Sequence, residues 1–215
     1  FECRAIVLIG PVGVGSTAGT PIEPSPVAQT EWLRVIHLMI SKTEDALRDS
    51  DAQLDGPLWL AAATHWMQDP KVYGGEDYIC CLLDVLMSYS MLDNHRDKLV
   101  KAGFVEWLAD DAIPVKSGMS WKVVAKAWAL LASLCIRNPA KAVMAEPARL
   151  DNMKAALQHK TADSVLVIRH GFQAVLLIAE HPKAREYMNS VDFASVVNDL
   201  ANVRKDEFIS KAADV

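Results

Sequence analysis

The segment GPVGVGST, Gly10 to Thr17, is the stretch whose residue types come nearest to a reactive motif. Two glycines with four residues between them, then a hydroxyl side chain, match the loop whose backbone amides cradle nucleotide phosphates. That loop also needs a lysine after its second glycine, to place positive charge against the terminal phosphates. Ser16 stands in that position. The loop must then open a helix so that free amides face the anion, whereas the residues that follow read TAGTPIEPSP. Proline at this density cannot sustain a helix interior. The remaining chain also lacks the alternating strands that a parallel sheet requires. Nucleotide binding is not expected.

The other chemistry-bearing residues form no reactive constellation either. Counted from Asp49, the acidic run DSDAQLDG has Leu54 where a calcium loop needs glycine and Leu60 where it needs a bidentate glutamate. A solvated loop is expected there. The six histidines, His37, His65, His95, His159, His170 and His181, show no paired spacing on one face. Cys3, Cys80, Cys81 and Cys135 have neither metal-ligand nor disulfide-framework spacing, which points to buried free thiols in a reducing intracellular compartment. The chain begins at Phe1 rather than methionine, so import into an organelle is compatible with this expectation. No nucleophile turn or carboxylate pair stands out. The expectation is a protein that is not an enzyme and uses no cofactor, no metal and no small-molecule substrate.

Bulk properties narrow the partners. A net charge of −5 gives no footprint for a nucleic-acid backbone. No apolar run reaches the length of a bilayer span. With 51% apolar and 23% charged residues over 215 positions, the chain can bury a sizeable core. Other protein subunits are therefore the expected partners.

Two kinds of segment must position whatever these residues do. Residues 1–29 hold four glycines and four prolines around the apolar run Ile6, Val7, Leu8 and Ile9. They read as an extended arm, expected to dock on a partner or on the chain's own helices. From residue 30 to 215 the period becomes helical, with Leu33, Ile36, Ile40, Thr43 and Leu47 at steps of three and four. Further helices are expected near 57–68, 76–92, 94–102, 104–112, 120–137, 139–146, 148–158, 162–181, 183–190 and 192–212, and no strand follows residue 30. The fold class is all-α.

Three stretches of this helical body resemble one another. Leu86, Leu131 and Val175 correspond, as do Tyr89, Leu134 and Ile178, and Val100, Met144 and Met188, at steps of 44 or 45 residues. Pro139 and Pro182 are placed to start short helices, and Gly103, Pro147 and Asn189-Ser190 are placed to break them. With HRDKLVKAGFVEWL as its best segment, the chain resembles an armadillo-repeat protein, with HEAT repeats closely related. The likeness is good over residues 76–203 and poor over 30–75. It implies a short α-solenoid of about three repeats that buries its apolar ridges between neighbours. It further implies a scaffold or accessory subunit, or else an adaptor that grips a linear peptide in a concave groove. Lys122, Lys126, Arg169 and Gln173 are the candidate contacts on that side. The tryptophan and asparagine ladder of the import receptors is absent, so their function is not implied.

Overall fold

The computed structural model describes residues 30, 31, 34, 75–114, 118–159 and 165–204, with the side chains of 201–204 excepted. The arm with Ile6 to Ile9, the phosphate-loop look-alike, the acidic run from Asp49 and the helix expected near 57–68 lie outside these residues. At the expected boundary residue 29 lies outside them too, while residue 30 is described. The chain divides into two compact units, Phe1–Leu92 and Asp93–Val215. Among the described residues every regular element is helical.

In the first unit, α1 spans Gly75–Tyr89. Gly75 takes a left-handed φ of 72° at its start, and Glu76 and Asp77 place negative charge at the positive end of the helix. Ser90 closes the other end, where its hydroxyl donates to the Met87 carbonyl at 2.7 Å. Leu82, Leu83, Val85 and Leu86 form the buried stripe.

The second unit contains α2 (Asp93–Lys101), α3 (Phe104–Trp107) with a π-helical turn at Leu108–Ala112, and then two similar groups. The middle group is α4 (Trp121–Leu134), α5 (Asn138–Met144) and α6 (Pro147–Gln158). The last group is α7 (Val165–Ala179), α8 (Pro182–Ser190) and α9 (Phe193–Arg204). Each runs long, short, medium, and corresponding helices start 44, 44 and 46 residues apart. Local chemistry sets the starts: prolines occupy the first turn of α5, α6 and α8, where a missing N–H costs nothing. Gly103, with φ of 85°, makes the corner between α2 and α3.

The core is the shared apolar face of these groups. In α4, Trp128, Leu131, Leu134 and the following Cys135 are fully buried. α4 packs on α2 and the π turn, and α7 packs on α4, α5 and α6. α8 packs on α5 and α6, and α9 on α6. No main packing pair joins α2 or α3 to α8 or α9, so these helices touch their neighbours in chain order. Gly171 marks the closest approach: a Cβ there would stand 2.6 Å from Leu157 Cδ2 and 3.7 Å from the Trp128 ring.

Candidate functional site

Polar ties between helices repeat at nearly one distance along the chain. Arg137 Nε and Nη2 donate to the two oxygens of Asp97 at 2.8 and 2.9 Å, forty residues back. Arg149 Nη2 donates to Asp110 at 3.2 Å, and its Nη1 donates to the Val143 carbonyl at 2.9 Å. Lys141 pairs with Glu180, and Lys154 donates to the Val191 carbonyl. The Tyr187 hydroxyl lies 2.9 Å from the Asp151 carboxylate, to which it donates. These links between groups span 36 to 40 residues. The forked bond from Arg137 holds the Asp97 carboxyl below the usual carboxylate range. The bond to Asp151 pushes the Tyr187 phenol up.

At the last group the surface opens. A cavity of about 210 Å³ lies between α7, α8 and α9. Phe172, Val175, Leu176 and Ala179 of α7 line one side, Met188 of α8 the second, and Phe193, Ala194 and Val197 of α9 the third. Arg185 and Asn189 stand at its polar edge. Both are exposed. Ligand pockets for drug-sized molecules run to about 300–1,000 Å³, so this one fits a few apolar side chains better than a large cofactor.

Three apolar positions matched one group earlier are sealed. Cys135, Met144 and Met153 are each 0% exposed, whereas Ala179 and Val197 are half-buried and Met188 retains 5%. The difference follows from packing, because α7 and α8 lie over α4, α5 and α6.

The expected contact residues are all on the long helices. Lys122 and Lys126 lie on α4 outside its buried stripe, with Lys122 exposed and its Nζ 5.9 Å from the Trp121 ring centroid. Arg169 is exposed on α7, and Gln173 is half-buried with its Oε1 3.0 Å from His170 Nδ1, whose N–H donates. Since α7 packs on α4, the two pairs occupy adjacent helices. Ile6, Val7, Leu8 and Ile9 lie outside the described residues.

Cys81 and Cys135 offer little nucleophilic chemistry. Burial pushes the Cys135 thiol far up. It also pushes up Cys81, where desolvation outweighs the hydrogen bond with Arg34, itself paired with Glu31. Among the described residues no group of three or more His, Cys, Asp or Glu side chains could hold a metal ion. No described helix is long and apolar enough to cross a membrane.

Sequence reasoning missed Arg185 and the groove beside it. The signal was present: Asp97, Lys141 and Arg185 lie 44 residues apart, on α2, α5 and α8. No protein-family model, curated protein or solved structure matches the chain.

Proposed function

We propose that this chain is a non-catalytic scaffold or accessory subunit of a larger protein assembly, built as a short armadillo- or HEAT-like α-solenoid of about three repeats. Its partners are other proteins, held by the helical-repeat surface and the N-terminal arm. One observation carries this reading: packing and polar ties join each helical group to the next, at separations of 36 to 40 residues. A fold assembled by nearest-neighbour contacts buries one face of each group and leaves an apolar face at its end. Such a face suits protein recognition better than small-molecule catalysis.

Purification of the full-length protein from its native source at mild salt, followed by mass measurement of the intact particle, tests the reading. A stoichiometric complex with other proteins is expected. A particle containing this chain alone contradicts it. An adaptor gripping a peptide in its groove would instead lose its ligand on substitution of Lys122, Lys126, Arg169 and Gln173, with the assembly otherwise intact.

A further inference from the structure

Two equivalent positions in this protein already show how a helix docks on a short helix. Asp97 on α2 is met by Arg137, which follows α4. Lys141 on α5 is met by Glu180, which follows α7. In each case an incoming long helix lays its apolar face on the group before it, and a charged residue just past its C-terminal end pairs with the short helix. The sign reverses between the two, and the complementarity holds.

Arg185 is the third member of this series, and its guanidinium has no hydrogen-bond or ion-pair partner among the described residues. The apolar groove beside it takes up the positions that α7 and α8 help to cover one group earlier. We propose that this groove docks an apolar-faced helix of a partner protein, with a carboxylate just past the helix's C-terminal end pairing with Arg185. The proposal rests on the scaffold reading above and specifies the partner's chemistry. The cavity accommodates the anchoring side chains, and Arg185 fixes direction and register, as Lys141 does for α7.

The probe is a synthetic peptide of residues 165–180, the helix that fills the equivalent site one group earlier, labelled and titrated with the full-length protein. Saturable binding is expected, weakened about tenfold or more by Arg185→Glu, since a charge-assisted bond is lost and a repulsion gained. A peptide carrying Glu180→Lys should recover affinity for the Arg185→Glu protein. Val197→Glu, which blocks the apolar wall, should abolish binding of both peptides. Absence of saturable binding to the folded wild-type chain overturns the proposal, as does binding indifferent to Arg185→Glu. Dimerisation of the wild-type chain that Arg185→Glu abolishes assigns the groove to a second copy, and a crosslink from Leu176→Cys to residues 205–215 assigns it to the chain's own tail; either also overturns the proposal. If the native complex persists with the Arg185→Glu chain, the groove proposal fails and the scaffold reading stands. If the wild-type chain purifies alone, the scaffold reading itself fails.

Discussion

The middle group, α4 to α6, and the last group, α7 to α9, share an order of helices and differ in what covers them. Met144 is fully buried and Met188 is not quite. Cys135 is sealed where Ala179 is half-buried. Among the described residues Lys141 has a carboxylate partner and Arg185 has none. What packs on a group, more than residue type, therefore decides whether a given apolar ridge is sealed or left open.

The largest effect that could break this comparison is expected at Trp128. Trp128→Ala should cost about 3–5 kcal/mol in chemical denaturation, because the cavity is enclosed on all sides. Phe172→Ala should cost less, since that side chain borders a space already open. Equal losses would remove the contrast between the two groups. Gly171 tests how tightly they are joined. Gly171→Leu should cost about 1–3 kcal/mol by overpacking against Leu157 and Trp128. Gly171→Ala should be far milder, since the clash is with a side-chain end and alanine regains about 1 kcal/mol of helix propensity.

The polar ties sharpen the same comparison. Glu180→Gln leaves the ammonium of Lys141, a residue 6% exposed, without its counter-charge and should cost about 1–3 kcal/mol. Arg185→Gln, at the equivalent place one group later, should change stability by no more than about 0.5 kcal/mol. Matched losses would mean that Arg185 already has a partner within the fold.

The smallest effect carries a sign in pH. Asp97 has its folded value held below its ordinary 3.8, so its contribution is present above that value and lost as pH falls through the lower folded one. Asp97→Asn should therefore lower stability at neutral pH, by an amount that shrinks to nothing in strong acid. It should also shrink with added salt, because the pair is partly exposed. Melting curves of both chains between neutral and acid pH check this.

Much of the fold was legible from apolar spacing and punctuation. Pro139 and Pro182 announced helix starts and Pro147 a break that the structure keeps, and Leu131 and Leu134, matched across the similar stretches, are core. Edges were less legible. The long helix expected over 120–137 ends at Leu134, and the stretch expected as plain helix to residue 112 widens into a π turn from Leu108. The third break was expected at Asn189-Ser190 and falls at Val191 and Asp192. There Asp192 adopts a left-handed φ of 51°, a conformation that sequence usually signals with glycine.

The candidate site was hidden for a different reason. Its register position carries Asp97, Lys141 and Arg185 in turn. A role defined by complementarity to the neighbour leaves no common residue type for the sequence to display. Lys141 likewise reads as a surface lysine until its burial is known.

Native-state hydrogen exchange on the full-length protein tests most directly whether each group is stabilised by the one that follows. Amides of α4 should exchange most slowly within the second unit, α7 faster, and α8 and α9 fastest. Uniform protection across the three groups, or slower exchange in α9 than in α4, would contradict the account.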